Sequence, residues 1–198
     1  MASIQVLPAT PEDVSSLTHV ILSAFSTPHD REMFPDTPGI HAWWDEFNRH
    51  DLLHKPGVRY VKAVDMSLPG SIMACAKWDF QPENRGNRFP PWHEDSNQSE
   101  CGAFFGECDA ARQAVMKDRK HYFLDILVTD PDHRRRGAAT LLLRWGCDMA
   151  DQAGMPIYLD ATESGAPVYQ KHDFVIQPVS IPLPGDIVAM VREPQPKK

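Results

Sequence analysis

The sequence predicts an α/β (α+β) fold: one domain in which about six or seven short strands are interleaved with amphipathic helices. Three observations carry that prediction. Apolar residues recur at three- and four-residue steps in several long stretches, the mark of one-faced helices, and run together or alternate in shorter ones, the mark of strands. Two of the strand-like runs flank Ser67-Leu68-Pro69-Gly70, a turn sequence that joins them as an antiparallel hairpin. The apolar run from Phe123 to Val128 leads through a short polar turn directly into a helix. A chain of 198 residues suits a single core, and 42% hydrophobic content without a long apolar span argues for a soluble, globular protein.

Residues 4–8 read as an opening strand. Thr10-Pro11-Glu12-Asp13 is a helix start, with a capping residue, a proline in the first turn and an acid three residues after the cap. Val14, Leu17, Ile21, Ala24 and Phe25 then mark one buried helical face, which Ser26-Thr27-Pro28 breaks. A second helix is expected over residues 41–54, ended by Lys55-Pro56-Gly57, and the hairpin strands over 58–64 and 71–80. From Gln81 to Ser99 there is no periodicity, so an irregular insertion is expected at about residues 81–120, with a helix in its second half marked by Ala103, Phe104, Cys108, Ala111, Val115 and Met116. The central strand follows at 122–128. After the polar turn, Ala139, Leu142, Leu143, Gly146, Met149, Ala150 and Ala153 predict a helix stopped by Gly154. A strand at 157–161, a short helix at 165–172, closing strands at 174–181 and 187–192, and a frayed tail at 193–198 complete the reading.

The polar turn has the chemistry of an anion site. A helix start leaves backbone N–H groups without intrahelical partners and carries partial positive charge, so a phosphate can dock on bare main chain. Gly137 removes the side chain that would stand between those amides and a ligand; Ala138 and Ala139 keep the approach open; Arg134, Arg135 and Arg136 surround it with mobile charge. The segment resembles the acyl-CoA-binding motif of the GNAT superfamily of acetyl-CoA-dependent N-acetyltransferases, Q/R-x-x-G-x-G/A between strand and helix. Arg134, Gly137 and Ala139 occupy its fixed positions, and Tyr169-Gln170-Lys171-His172-Asp173-Phe174 matches a second family element, Y-x-x-x-x-F.

The resemblance implies a GNAT-like domain: a central, mixed, mostly antiparallel twisted sheet with helices on both faces. It implies acetyl-CoA as cofactor, the pantetheine arm on the main chain at Leu127 and Val128, and the pyrophosphate on the turn from His133 through Arg134, Arg135, Arg136, Gly137, Ala138 and Ala139 to Thr140. Tyr169 is then the candidate general acid, and aspartate replaces the family's usual glycine at Asp173, a residue that tolerates a left-handed backbone. The base is open. Relatives often place it at positions matching Tyr122 or Leu124, neither a carboxylate here. Asp125 is the candidate on the same strand, though alternation turns it to the other face, where it is either catalytic or a buried anchor. Asp160, Glu163 and a water relay are the alternatives.

Partners follow from charge and composition. A net charge of −7 disfavours nucleic acid and anionic lipid, and makes the three arginines a local feature suited to a compact anion. The expected partner is a small-molecule primary amine, with no nucleic acid and no membrane, in a monomer or homodimer. Phe25, Phe34, Trp43, Trp44, Phe47, Trp78, Phe80 and Trp92 are candidates to line an acceptor pocket; Asp30, Glu32, Asp36, Asp45 and Glu46 are the carboxylates a polyamine would need. No secretory signal opens the sequence, so a cytoplasmic address is expected. The four cysteines lack C-x-x-C spacing and are expected reduced; of nine histidines only His50 and His54 share a helix face, without H-E-x-x-H, so no metal site is expected. The competing reading is a GNAT-like module that binds CoA or another ligand without turnover.

Overall fold

The computed structural model describes residues 4–67, 70–82 and 87–196. Strand β1 (Ile4–Pro8) leads into the expected cap: the Thr10 amide and hydroxyl both donate to Asp13 Oδ2, at 2.8 and 3.2 Å. A single 3-10 turn, Pro11–Asp13, then gives way to α1 (Val14–Ala24), which buries Val14, Leu17, Val20, Ile21 and Leu22. Ser26-Thr27-Pro28 does not simply break the chain. It starts α2 (Pro28–Met33), because proline at a first helical position loses no hydrogen bond and Thr27 and Asp30 cap each other reciprocally, Asp30 N to Thr27 Oγ1 at 3.2 Å and Thr27 N to Asp30 Oδ2 at 2.9 Å. The same device, Thr37 before Pro38, starts α3 (Pro38–His54) earlier than the apolar periodicity suggests.

β2 (Val58–Asp65) and β3 (Ile72–Asp79) form the expected antiparallel hairpin; Leu68 and Pro69 of its turn lie outside the described residues. Within the insertion, α4 (Gln98–Met116) begins at an Asn97 cap and ends at Lys117, so order starts sooner and stops sooner than expected. Then come β4 (Tyr122–Thr129), α5 (Ala138–Ala153), β5 (Ile157–Thr162), α6 (Ala166–Gln170), β6 (Val175–Ile176) and β7 (Ile187–Arg192). β6 is far shorter than the expected 174–181. Pro178, Pro182 and Pro184 have no N–H to give to a ladder. Nor is the tail wholly frayed: the Gln195 amide donates to Asp151 Oδ1 at 2.7 Å and Glu193 pairs with Arg119.

The strands form one seven-stranded sheet in the order β1-β2-β3-β4-β5-β7-β6, antiparallel throughout except where β4 meets β5. α5 covers one face and α1 and α3 the other, each over its own apolar cluster. The buried face of α5 is Ala138, Leu142, Leu143, Gly146, Cys147 and Ala150. The expected members Met149 and Ala153 are exposed, because the helix is rolled until its small residues meet the sheet. Gly146 explains the roll. A Cβ there would lie 2.1 Å from Cζ2 of the fully buried Trp78, so only glycine lets helix and sheet approach this closely. All four cysteines are buried and unpaired.

Candidate active site

The sheet opens at its centre. β4 and β5 pair in parallel only at Tyr122↔Ile157 and Phe123↔Tyr158; beyond that β4 stays with β3 as far as Thr129 and β5 stays with β7 as far as Thr162. The two strands therefore diverge, and from Leu124 onward β4 has no partner on its β5 side. A cleft of about 260 Å³ fills the gap, walled by Leu124, Asp125 and Leu127 of β4, Asp160 and Thr162 of β5, and Tyr169 of α6. Along Leu127 and Val128, which pair with β3 on one side, the main-chain groups that point away from β3 meet no strand.

The polar turn lies at the end of β4. Asp130 accepts the Asp132 amide at 2.9 Å, a 3-10 turn spans Pro131–His133, and the chain passes through left-handed conformations at Arg135 (φ 61°) and Gly137 (φ 88°) before α5 begins. No side chain caps α5. A Cβ built on Gly137 meets no protein atom within 4 Å, so glycine is demanded there by the backbone angle and by whatever approaches from outside, not by packing. The orphan amides of Ala138, Ala139 and Thr140 thus stand at an open, positively polarised helix end, the geometry a diphosphate requires. Ala138 is buried, leaving only its main chain to a ligand.

The arginines divide by role. Arg134 and Arg135 are exposed around the turn. Arg136 is taken up by Asp65, the buried last residue of β2, and its Nη1 stands 3.4 Å from Nδ1 of His133, whose Nε2 is 3.3 Å from Ser71 Oγ. The hydroxyl and amide of Ser67, and then Arg136, hold the Asp65 carboxyl down at about 2. Arg136 and His133 hence tie the turn to the β2–β3 hairpin. The Arg136 charge belongs to the scaffold.

A scan against family models matches residues 15–174 to the acetyltransferase (GNAT) family. The chain belongs to that family. Its fold is similar to that of a crystal structure of histone acetyltransferase HPA2 and related acetyltransferase from Corynebacterium glutamicum (21% identity, TM-score 0.65, 100% of this chain and 99% of that one). It is also similar to the PaiA N-acetyltransferase of Thermoplasma acidophilum, crystallised with coenzyme A (11%, 0.59, 96% and 99%). A third likeness is to the ribosomal-protein-S18-alanine N-acetyltransferase of Escherichia coli (13%, 0.58, 99% and 97%). No curated protein sequence matches the chain. The GNAT family uses acetyl-CoA, and the cleft and open helix end described above fit that molecule.

Among the candidate acid and base groups of this GNAT domain, three line the cleft: Tyr169, Asp160 and Asp125. Burial pushes the Tyr169 phenol up to about 12, so it keeps its proton at neutral pH. Burial also pushes the Asp160 carboxyl up to about 6, against the opposing hydrogen bond that Tyr158 Oη donates to Oδ1 at 2.7 Å. Its Oδ2 is buried with no hydrogen-bond partner. Glu163 is exposed on the far side of β5's end and does not line the cleft.

Asp125 occupies a β-bulge: β3 steps from Lys77↔Ile126 to Trp78↔Leu124, leaving Asp125 as the extra residue on β4. It faces a buried charge network. Lys77 Nζ lies 3.1 Å from Asp125 Oδ2 and 2.7 Å from Asp51, and Arg88 Nε donates to Asp125 Oδ1 at 3.0 Å. Lys77 and Arg88 were not singled out from the sequence, although a lysine in the run Ile-Met-Ala-Cys-Ala-Lys-Trp was a legible signal, since an unpaired buried lysine is not tolerated. Arg88 sits in the aperiodic insertion and gave no such signal.

The aromatic candidates separate. Phe34, Trp43, Trp44, Phe47 and Trp92 form one cluster with Phe89 and Phe105 of the insertion. Phe25, Phe34 and Trp44 line an apolar cavity of about 100 Å³ that adjoins the cleft. Trp78 and Phe80 lie on the opposite face of the sheet under α5, and line neither cavity. The carboxylates proposed for a polyamine disperse: only Asp30 lines the cavity, while Asp36 pairs with His41, Asp45 with Ser15 and Glu32 with Asn97.

Proposed function

We propose that this acetyltransferase moves an acetyl group from acetyl-CoA to the primary amine of a small molecule by direct attack within a ternary complex. The observation that carries the reading is the juxtaposition of an uncapped helix end with a sheet split lined by the Tyr169 phenol and the Asp160 carboxyl. Bound acetyl-CoA supplies the activated acetyl thioester. The amides of Ala138, Ala139 and Thr140, with Arg134 and Arg135, would hold the pyrophosphate, and the main-chain groups of Leu127 and Val128 that point away from β3 would orient the pantetheine arm along β4.

Asp160 is the base in this reading. With its carboxyl near 6 it is ionised at neutral pH yet more basic than an ordinary aspartate, and it would take the proton from an incoming ammonium. Tyr169 Oη, protonated because burial disfavours phenolate, would give its proton to the departing sulfur and be restored by the second proton the nitrogen loses on becoming an amide. Asp125 serves by holding Arg88 and Lys77 in place. Phe104 and Phe105 close the cleft toward α4 and keep water from the thioester.

Titration with acetyl-CoA, followed by an amine panel read as free thiol, tests the reading. Saturable binding with amine-dependent thiol release is the expected result. Binding without release from any amine leaves a CoA-binding module, and no binding at millimolar cofactor removes the reading altogether.

A further inference from the structure

The cleft and the apolar cavity of about 100 Å³ adjoin: Phe25, Phe104, Phe105 and Ile126 wall both, as do Arg88 and Asp125. A molecule whose reacting nitrogen lies beside the sheet split therefore has room for its body in the second chamber. Beyond the shared wall that chamber is bounded by Ile21 and Leu22 of α1, Met33 of α2 and the rings of Phe34, Trp44 and Phe89, so the surface it offers is almost entirely carbon.

Three charged residues reach this wall, and each is already engaged. Asp125 accepts from Arg88 Nε at 3.0 Å and stands 3.1 Å from Lys77 Nζ. Arg88 is held by that same carboxylate, its guanidinium carbon 5.0 to 5.2 Å from the ring centroids of Phe89, Phe105 and Phe123. Asp30 Oδ2 takes the Thr27 amide at 2.9 Å and the Thr27 hydroxyl at 2.7 Å in the cap of α2. A second charge on a ligand would surrender its hydration against carbon and compete with these contacts, whereas an uncharged hydrocarbon body gains by leaving water. The volume sets the size of that body. Dry apolar cavities of roughly 150 Å³ take up benzene, so one of about 100 Å³ that adjoins a cleft suits a single ring. The aromatic wall favours an aryl group, whose edge and face both find ring partners.

We infer that the acceptor is a primary amine joined by a short alkyl link to one uncharged aromatic ring, with the ring in this chamber and the nitrogen in the cleft. The inference rests on the acyl-transfer reading for what the cleft does. Polyamines and amines with an acidic body are poor acceptors.

The test compares phenethylamine with propylamine, 4-(2-aminoethyl)benzoate and 1,4-diaminobutane. Turnover is read as thiol release from acetyl-CoA, and binding by calorimetry on protein saturated with CoA. Phenethylamine is expected to exceed propylamine, which keeps the ammonium and loses the ring, by about 30-fold or more in kcat/KM. The benzoate and the diamine, each with a second charge, should fall about tenfold or more below phenethylamine. Phe25→Asp, at a half-exposed position, puts a new carboxylate on the shared wall and should cut the ratio of phenethylamine to diaminobutane about tenfold. Should that variant fail to fold, the wild-type panel decides alone. Equal use of propylamine and phenethylamine, a preference for the benzoate or the diamine, or an unchanged ratio in folded Phe25→Asp overturns the inference and leaves acyl transfer intact. So does an advantage of butyryl-CoA over acetyl-CoA without any advantage from the ring, which gives the chamber to the acyl chain. Selective binding of phenethylamine without thiol release keeps the chamber and overturns the transfer reading; neither binding nor release overturns the inference.

Discussion

The two halves of the cleft are built from different materials. The half proposed for the cofactor, from Leu127 through Thr140, offers main chain: a strand edge open toward β5 and uncapped helix amides, with the buried Asp65 already paired to Arg136. The half proposed for the acceptor offers side chains, among them Arg88, Asp125 and Asp160. Main-chain chemistry is the same whatever the residue, so the first half would tolerate sequence change and suit a ligand common to a whole family. The second half is written in side chains, so on the proposed reading it would set which amine is accepted.

That contrast is broken most severely at Gly137. Gly137→Asp is expected to lower CoA affinity more than 100-fold, about 3 kcal/mol or more, by filling the ligand's space and setting a carboxylate against the diphosphate. No protein atom lies within 4 Å of the added Cβ, so folding stability should fall only by the cost of a left-handed non-glycine residue, about 1 kcal/mol. Calorimetry and thermal melting separate the two effects, and unchanged affinity removes the phosphate seat.

Asp160→Asn sharpens the contrast from the other side. It should leave CoA affinity unchanged while kcat/KM for the amine falls roughly 10²- to 10³-fold. In the parent protein, activity should rise with pH through about 6 as the carboxylate ionises, and this limb should vanish in the variant. The linkage to stability has the opposite sense. A carboxyl raised in the folded state favours folding below its unfolded value and loses that contribution as pH rises through about 6, so Asp160→Asn should melt no lower than the parent at neutral pH. A pH profile that keeps its acid limb in the variant assigns the base elsewhere.

Tyr169→Phe is expected to reduce kcat about 10- to 100-fold with little change in KM, since only the proton on Oη is lost and the ring still packs on Phe174. Steady-state kinetics with a fast and a slow amine read it; a change confined to KM reduces Tyr169 to a packing residue. The smallest effects lie in the arginines. Arg134→Ala should weaken CoA binding about threefold to tenfold and flatten its salt dependence, as befits an exposed charge. Arg136→Ala should instead lower the melting temperature, because it removes the guanidinium from Asp65 Oδ2 and leaves Ser67 alone on the buried carboxylate. Identical responses from the two variants contradict the division of roles.

Much of the cofactor half was legible beforehand. Its signals are local: a strand, a turn with Gly137, a helix closed at Gly154, with each cap decided by neighbours a few residues away. The acceptor half was far less so. Trp78 and Phe80 share the composition of the pocket aromatics, but strand alternation sends them under α5. Asp125 was marked as an odd residue in an apolar strand, yet its partners Lys77 and Arg88 come from a neighbouring strand and an aperiodic loop. Likewise Thr27-Pro28 has the residues of a helix start, and was read as a stop because the preceding periodicity ended there.

What the sequence by itself determined is the order and type of most of the elements, the strand-turn-helix around Gly137 and the family, because helix periodicity, capping and glycine placement act over a few residues. Tertiary structure alone decided where β4 and β5 part, which arginine pairs with Asp65, and which acid and base groups line the cleft. Those features depend on register and on side chains far apart in the chain, and a one-residue bulge at Asp125 is enough to change which groups meet.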